Sequence, residues 1–391
     1  MSVSEECLTE QPAHDSIQRN AGATVEQHWT ARRSVRCAMR DQPIQLPWQQ
    51  PGWLEQATAW IHAQLEARGW HITGPVQLVH QRPWSTFARV PTDKGIAYFK
   101  APAPMFAYEA ALTQALAAWR PDCTVPVLAV DHATGWMLSA DAGTTLRQMG
   151  QTIAQIPHWL KVLPLYGELQ IELADRVPEL LAFGVPGRRL ARLPQLYVQL
   201  LETTESLRVG LDLGLTPAEH ERLYAGQARF AMECQALAAY GLPETITHEE
   251  VHENNVLLGD GRYIFTDWSD SSVGHPFFTM LVTLRATAHW LKLDEAGPEL
   301  RRLRDAYLEP WTRFETRAGL EDALELAYRL GMVNRALSWH HGLGSLSEQD
   351  KGAYADSVPG WLQDYLQAGT AAADSELSQP VAQKGTDDRI E

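Results

Sequence analysis

Residues 247–270 read THEEVHENNVLLGDGRYIFTDWSD, and they say more about the fold than any other part of the chain. From Thr245 to Asp267 the sequence is short, β-branched and rich in turn residues, whereas the segments on both sides have a helical pattern. Gly259-Asp260-Gly261, between two apolar runs, predicts a tight β-hairpin turn. We therefore interpret the stretch as a strand, a loop and a hairpin.

The loop contains a literal HExxH motif, His248-Glu249-Glu250-Val251-His252. In zinc peptidases this motif lies on a long helix, which puts both histidines on one face to bind zinc, with the Glu as general base. Here the surrounding pattern favours a strand and a loop. A zinc peptidase is therefore kept only as a remote alternative.

The same residues fit the pattern of a kinase catalytic loop better. His248, Glu250, Asn255 and then Asp267 at the end of a strand follow the order of such a loop. One carboxylate there accepts or orients the hydroxyl of the acceptor, and an Asn and an Asp hold magnesium. Magnesium is a hard cation that prefers oxygen ligands. Because Asn255 and Asp267 are predicted on the two arms of one hairpin, we expect both to be metal ligands.

The region before this loop has the pattern of a small antiparallel sheet with one helix. Lys100 ends the third predicted strand, and Glu109 lies at the start of a helix predicted from Tyr108 to Trp119. A kinase needs a strand lysine near the phosphates and a helix carboxylate beside it. The plain alternatives are a solvated strand end for Lys100 and the general preference of acids for helix starts for Glu109. The strands are predicted at residues 76–79, 87–90, 96–100, 125–130 and 136–139.

The length of 391 residues favours two lobes, because a single core rarely grows so large. A connector at residues 140–143 separates the predicted sheet from a mostly helical region that ends near residue 368. The predicted organisation is a disordered extension (1–46), a nucleotide-binding lobe with a preceding helix (47–141), a helical lobe with the catalytic loop and substrate site (142–368), and a disordered tail (369–391).

Composition limits the classes of protein further. Apolar residues make up 45% and charged residues 21%, as in ordinary soluble proteins. No apolar stretch reaches the roughly 20 residues that a bilayer requires, no signal peptide opens the chain, and the four cysteines lack metal or disulfide spacing. We expect a cytoplasmic protein with reduced thiols. The net charge of −15 argues against nucleic-acid binding and fits a cationic substrate or simple solubility.

With these motifs, residues 70–368 resemble the aminoglycoside phosphotransferase-like small-molecule kinases, which are related to the choline kinases. The resemblance implies a two-lobed, protein-kinase-like α+β fold. It also implies that ATP and Mg²⁺ serve to phosphorylate a small-molecule hydroxyl, on an aminoglycoside-like or amino-alcohol acceptor. The residues that carry it are Ala97-Tyr98-Phe99-Lys100, Glu109, the hinge from Trp136 to Asp141, His248 to Leu257, and Ile264 to Trp268.

The resemblance also implies roles for individual residues. Lys100 and Glu109 would serve the phosphates, Glu250 would be the catalytic base, and His248 would brace the loop. Asn255 and Asp267 would hold magnesium, and the adenine of ATP would lie near the hinge at Ala140. Residues 83–86 form a corner at the position where the family usually has a glycine-rich loop. Ser85 and Thr86 of this corner would offer hydroxyls to phosphate. The alternative is that the corner is purely structural.

Two departures from the family pattern, Glu250 and a missing downstream acid, make a catalytically silent, nucleotide- or ligand-binding pseudokinase the main alternative. Glu249 replaces a Gly, and Glu250 replaces the catalytic Asp. The extra methylene adds about 1.5 Å, and a displacement of that order costs on the order of 100-fold in rate. The acid expected after Gly274-His275-Pro276 is missing. We expect Glu249 to face solvent, and Asp270 to be a metal or substrate contact or a helix cap.

Overall fold

A computed structural model describes residues 43–377 of the chain. Most of the predicted extension and tail lies outside these residues, but two boundaries differ from the prediction. Leu46 is buried, and the Ile44 N–H donates to the Ser345 carbonyl at 2.9 Å. The last helix continues to Leu377. The packed part of the chain therefore begins before residue 47, and helical structure continues past residue 368.

The predicted small antiparallel sheet with one helix is confirmed. Helix α1 (Trp53–Glu66) precedes the sheet, and helix α2 (Tyr108–Trp119) lies between its third and fourth strands. The strand order across the sheet is β1-β2-β3-β5-β4. The strands are β1 (Gln77–Gln81), β2 (Ser85–Thr92), β3 (Gly95–Pro102), β4 (Val127–Asp131) and β5 (Trp136–Ala140).

The two faces of this sheet have different partners. Buried side chains of α1 at helical spacing, among them Ile61 and Leu65, form one core with Phe99 and Leu138. Cross-strand pairing places Lys100 opposite Phe87, and adjacent residues of a strand point to opposite faces. Lys100 therefore lies on the face that α1 does not cover.

A short hinge follows β5 and is packed tightly against the helical lobe. Gly143 has a φ of +118°, and a Cβ atom there would lie 2.3 Å from the Leu258 carbonyl oxygen. Only glycine fits such a position. The Asp141 carboxylate accepts a hydrogen bond from the Gly143 N–H at 3.1 Å. Strand β6 (Thr144–Thr145) then pairs with the hairpin of the second lobe.

Helices make up most of the second lobe. The longest, α11, has an extensively buried middle section and packs against α13 and α9. In the part of the chain that the structure describes, no helix is long and apolar enough to cross a membrane. The helices are α3 (Ile156–Leu173), α4 (Val177–Ala182), α5 (Leu193–Glu202), α6 (Thr204–Leu207), α7 (Pro217–Ala225), α8 (Gln227–Ala238), α9 (Thr279–Leu291), α10 (Pro298–Leu308), α11 (Arg317–Leu343), α12 (Glu348–Lys351) and α13 (Ser357–Leu377).

The predicted hairpin is confirmed within this helical lobe. Strands β8 (Val256–Gly259) and β9 (Arg262–Phe265) are joined by Asp260 and Gly261, both with positive φ, as the favoured two-residue turn requires. Strand β7 (Thr245–His248) instead pairs with β10 (Ser271–Gly274). Strands β6 and β10 were not predicted, because they are short strands held by partners distant in sequence.

Candidate active site

Three charged side chains meet between the two lobes. The Lys100 ammonium lies 2.7 Å from a Glu109 oxygen and 2.6 Å from a carboxylate oxygen of Asp267. Lys100 comes from β3, Glu109 from the first turn of α2, and Asp267 from the residues after β9. The structure thus brings together three predicted site residues that are up to 167 positions apart.

Burial and charge set the protonation of this cluster. Burial lowers the pKa of Lys100, but Asp267 and Glu109 outweigh that effect and hold it well above its usual value. Burial raises the pKa of Asp267, yet the Lys100 ammonium and the Ser269 hydroxyl keep it well below its usual range. Burial raises the pKa of Glu109 to about 7 in spite of Lys100. The cluster therefore holds a firm ammonium–carboxylate pair and a second carboxyl group that titrates near neutrality.

Asn255 and Asp267 lie on backbone segments that are hydrogen-bonded to each other, and both side chains carry oxygen donors. The Thr266 N–H donates to the Asn255 carbonyl at 3.1 Å, which joins the two positions. The Asn255 amide nitrogen donates to the Glu250 carbonyl at 3.1 Å, so its amide oxygen is left for another contact. Asp267 has left-handed backbone dihedrals (φ 64°, ψ 62°). One carboxylate and one amide oxygen suit Mg²⁺, which usually takes few protein ligands and completes its shell with phosphates and water.

His248 supports the loop through both ring nitrogens. Its Nε2 lies 2.9 Å from the Thr266 carbonyl, and its Nδ1 accepts the Glu250 N–H at 3.2 Å. Burial lowers the pKa of His248, and the neutral tautomer protonated on Nε2 satisfies both bonds. These are the contacts expected of a bracing residue.

The zinc-peptidase alternative is wrong on geometry. His248 ends strand β7, and His252 lies in the loop that follows, so the two histidines do not share a helix face. Within residues 43–377 no group of three or more His, Cys, Asp or Glu side chains is arranged to hold a metal ion. The HExxH motif therefore occurs by chance in the sequence of this loop.

Tyr166 and Thr279 support the loop near the position where an acid was expected after Gly274-His275-Pro276. The His248 N–H donates to the Tyr166 hydroxyl at 2.7 Å, and that hydroxyl lies 3.1 Å from the Thr279 hydroxyl. Thr279 follows Gly274-His275-Pro276 by three residues. Two neutral hydroxyls thus anchor the start of the loop from the helical lobe.

Glu250 is held by an arginine that the sequence analysis did not identify. Arg335, from the middle of α11, contacts a carboxylate oxygen of Glu250 and lies 3.1 Å from an Asp270 oxygen. Burial raises the pKa of Glu250, but Arg335 and His252 outweigh it and hold the pKa below its usual value. Burial, together with nearby Glu250, raises the pKa of Asp270. Asp270 is therefore a partner of Arg335, and the turn that leads into α9 is capped by His275, so the helix-cap alternative for Asp270 is wrong. A metal or substrate contact of Asp270 stays a prediction.

The prediction that Glu249 faces solvent is wrong. Its side chain is buried, 2.8 Å from the Arg188 guanidinium and 2.8 Å from the Ser272 hydroxyl, and it also contacts Ser338. A buried carboxylate needs such partners, since its desolvation is otherwise very costly. Arg188 and Arg335 were both missed. The available signal for Arg335 was a single charge in the apolar run GMVNRAL at residues 331–337.

The structure only partly supports the predicted nucleotide contacts in the sheet. Ser85 and Thr86 are buried at the start of β2, not in an open corner, and Thr86 shares the α1-facing side with Ala101. This burial agrees with the plain structural corner, and a phosphate contact of Ser85 or Thr86 stays a prediction. At the hinge, where the adenine of ATP was expected, the Ala140 N–H is already paired, because it donates to the Pro126 carbonyl at 2.9 Å.

Two aromatic rings share the face of Lys100. Phe87 pairs with Lys100 across the strands, and the rings of Phe87 and Tyr98 stack with centroids 5.4 Å apart. Both side chains are only partly buried. An apolar surface of this kind beside a lysine suits a flat ring attached to phosphates, although neither residue was predicted to be part of the site.

A small sheet lobe, a hinge, and a helical lobe whose Asp267 contacts a strand lysine define a two-lobed, protein-kinase-like fold. Solved structures of small-molecule kinases share it. A choline kinase from Cryptosporidium parvum Iowa II aligns with a TM-score of 0.55 at 13% identity, covering 82% of this chain and 98% of that one. A choline/ethanolamine kinase family protein from Mesorhizobium loti aligns with a TM-score of 0.51 at 18% identity, covering 82% and 99%.

A third structure with the same fold is a macrolide 2′-phosphotransferase type I, with a TM-score of 0.50 and 15% identity over 77% of this chain and 96% of that one. No protein-family model and no curated protein sequence matches the chain. At these identities the likeness shows the fold alone, and it confirms the fold that the catalytic-loop motif predicted.

Proposed function

We propose that the protein is an ATP- and Mg²⁺-dependent phosphotransferase that phosphorylates a hydroxyl group of a small molecule. The observation that carries the proposal is the Lys100–Glu109–Asp267 cluster with Asn255 beside it. A phosphoryl-transfer site needs a cation for the phosphates and oxygen ligands for the metal, and little other chemistry from the protein. The printed names of the structural neighbours, choline kinase and macrolide 2′-phosphotransferase, agree with this class of reaction.

In the proposed reaction the acceptor oxygen forms a bond to the γ-phosphorus of ATP while the bond from that phosphorus to the β–γ bridging oxygen breaks. The hydroxyl proton passes to the Glu250 carboxylate, and ADP leaves. Lys100 orients the phosphates, and Glu109 orients Lys100. Asn255 and Asp267 would hold Mg²⁺, which neutralises the charge on the phosphates.

The acceptor classes that we propose are those implied by the family resemblance, an aminoglycoside-like compound or an amino alcohol. The acidic chain, with its net charge of −15, agrees with a cationic acceptor of either kind.

One observation favours a second candidate, a nucleotide-binding protein without catalysis. The Glu250 carboxylate is ion-paired with Arg335. A carboxylate whose pKa is held low is a weak proton acceptor, because a good general base has a pKa near the working pH. In this candidate the nucleotide side is intact and the acceptor side is inactive.

The test is acceptor-dependent ATP consumption with Mg²⁺, measured over a panel of aminoglycosides, amino alcohols and nucleosides. Asp267→Asn removes the proposed metal ligand, and we expect it to lower turnover by more than about 100-fold, beyond the usual loss from an outer-shell contact. Asp260→Asn is the matched control, because Asp260 lies on the same hairpin with a similar positive φ but is exposed at the turn.

Turnover with one acceptor that is lost in Asp267→Asn and kept in Asp260→Asn would support the kinase. Unchanged turnover in Asp267→Asn would refute the metal assignment. No turnover with any acceptor, together with a Mg²⁺-dependent thermal shift on adding ATP, would favour the non-catalytic candidate.

A further inference from the structure

Arg335 is a buried cation in the middle of the longest helix. Only 4% of its surface is exposed, and its helix neighbours Met332, Val333 and Ala336 are buried apolar residues. A charge in such a place requires paired partners, because taking it out of water is very unfavourable unless an opposite charge compensates. The partners of Arg335 therefore indicate why the residue is there.

Those partners come from both ends of the catalytic loop. One end nitrogen of the guanidinium contacts Glu250, and the other lies 3.1 Å from Asp270. The guanidinium carbon also lies 5.2 Å from the centroid of the Trp339 ring, one turn further along α11. The planar fork is thus fixed by two carboxylates and an aromatic ring, an arrangement that a lysine ammonium cannot reproduce.

The contact with Arg335 matters most for Glu250, whose side chain is one methylene longer than the Asp of the family pattern. An extra methylene adds a rotatable bond, and a free Glu side chain would sample several positions for its carboxylate. Here one carboxylate oxygen is bound by Arg335, and the other lies 3.8 Å from His252 Nε2. The backbone carbonyl of Glu250 also accepts the Asn255 amide. Both ends of the residue are therefore restrained.

We infer that Arg335 is a positioning residue: by bridging Glu250 and Asp270 it fixes the longer carboxylate at the place where the acceptor hydroxyl is activated. The inference rests on the proposed function, because it gives Glu250 the role of base. It means that the site is built around Glu, and that the replacement of Asp is compensated from α11. Arg335 acts through Glu250 and does not itself bind the transferred phosphoryl group.

A neighbouring pair supplies a matched control. Arg188 is also buried, and it pairs at 2.8 Å with Glu249, the residue next to Glu250. Its further contacts are with Ser338 and the Asn334 carbonyl, and none is with Glu250 or Asp270. Arg188→Lys therefore perturbs a buried guanidinium that contacts the same loop, without releasing the Glu250 carboxylate.

The experiment measures kcat and the KM for ATP, with the acceptor found above, for Arg335→Gln and Arg335→Lys in the wild-type and the Glu250→Asp background. We expect Arg335→Gln to lower kcat by about 10- to 100-fold, as misplacement by about 1 Å does, and to change the KM for ATP less than about twofold. Glu250→Asp alone lowers kcat, because the shorter carboxylate does not reach the guanidinium.

In the Glu250→Asp background the substitution at Arg335 should change kcat less than about threefold, since the contact is already lost. Arg188→Lys should leave kcat within about threefold of wild type. Arg335→Lys keeps the charge and most of the stem, so it serves as the test if the Gln variant fails to fold. Thermal melts check that each variant is folded.

A rise in kcat on replacing Arg335, or no change, would overturn the inference, because the arginine would then sequester Glu250 or be irrelevant to it. Equal losses in both backgrounds would also overturn it, since they would indicate a purely structural role. Absence of turnover in the wild-type protein would refute the proposed kinase activity and this inference together. An active wild type that is insensitive to Arg335 would refute the inference alone.

Discussion

The two sides of the site between the lobes differ in how closely their residues match those of a kinase. On the side that we propose for the nucleotide, Lys100, Glu109 and Asp267 have the residue types and order of a kinase and meet within hydrogen-bonding distance. On the side that we propose for the acceptor, Glu250 stands where the kinase pattern has Asp, and it is paired with Arg335 from a distant helix. Phosphates and a metal require a fixed set of charged and oxygen groups, whereas an acceptor hydroxyl requires only a carboxylate in the right place.

Each side has one more carboxylate than cation. Lys100 faces Glu109 and Asp267, whereas Arg335 faces Glu250 and Asp270. An excess carboxylate on the nucleotide side suits a divalent cation, and on the acceptor side it suits a proton from a hydroxyl. The two sides therefore have the same balance of charge, with one carboxylate in excess, although the cation is a lysine on one side and an arginine on the other.

The largest effect that would test the comparison concerns the nucleotide side. Lys100→Met should lower turnover by about 100- to 1,000-fold, the usual loss when a group aimed at developing charge is removed. Lys94→Met, on the exposed turn before β3, is the control and should be close to wild type. Steady-state kinetics in ATP give the answer, and a loss of less than about tenfold would show that the phosphates lie elsewhere.

Glu109 should make stability depend on pH. Its pKa in the folded protein is about 7, against 4.5 ordinarily, so the folded state binds a proton more tightly than the unfolded state does. The corresponding stabilisation is present below about pH 4.5 and is lost as the pH rises through 7. The difference amounts to up to about 3 kcal/mol.

Chemical denaturation of wild type and Glu109→Gln between pH 4.5 and 8 measures this slope. The wild-type free energy of unfolding should fall relative to that of the variant over this range. Glu66→Gln, at the exposed end of α1, should leave the slope as it is. Parallel curves for wild type and Glu109→Gln would contradict the assignment.

A smaller effect is expected where the catalytic loop begins. Tyr166→Phe removes the hydroxyl that accepts the His248 N–H, which leaves a buried donor unpaired and costs about 1–3 kcal/mol of unfolding free energy. We expect turnover to fall several-fold because the loop loses an anchor. Tyr224→Phe, at an exposed site, is the control. Unchanged stability in Tyr166→Phe would mean that the two hydroxyls do not anchor the loop.

The smallest effects are expected from two aromatic residues of the β1–β2 hairpin, which we assign to different sides of the site. Phe87 stacks on Tyr98 in the sheet, whereas Trp84 packs on Trp339 and Tyr354 of the helical lobe, with centroid distances of 6.0 and 4.9 Å. An aromatic pair contributes about 0.5–1.5 kcal/mol, or roughly two- to tenfold in affinity.

Phe87→Leu should therefore raise the KM for ATP by about that factor, and Trp84→Leu should raise the KM for the acceptor. If both variants change the same KM, the division of the cleft into two sides does not hold at this hairpin.

Local signals in the sequence were sufficient for much of the fold. Helix α2 and the β8–β9 hairpin agree with prediction because their periodicity and turn residues lie within a few positions of one another. Strands β6 and β10 were missed because each is a short segment that becomes a strand only through pairing with distant residues. A segment of two to four residues carries too little pattern to be recognised alone.

For the site, the sequence by itself predicted Lys100, Glu109 and Asp267, which the structure brings into one cluster. Their order follows from the needs of phosphate and magnesium in the reaction that we propose. The surroundings of Glu249 and Glu250 were decided only by the tertiary structure. Whether Glu249 is exposed or buried, and what holds Glu250, depends on Arg188 and Arg335, which lie 61 and 85 residues away. Burial of a charge is stable only beside its partner, and that partner is chosen by packing, not by position in the chain.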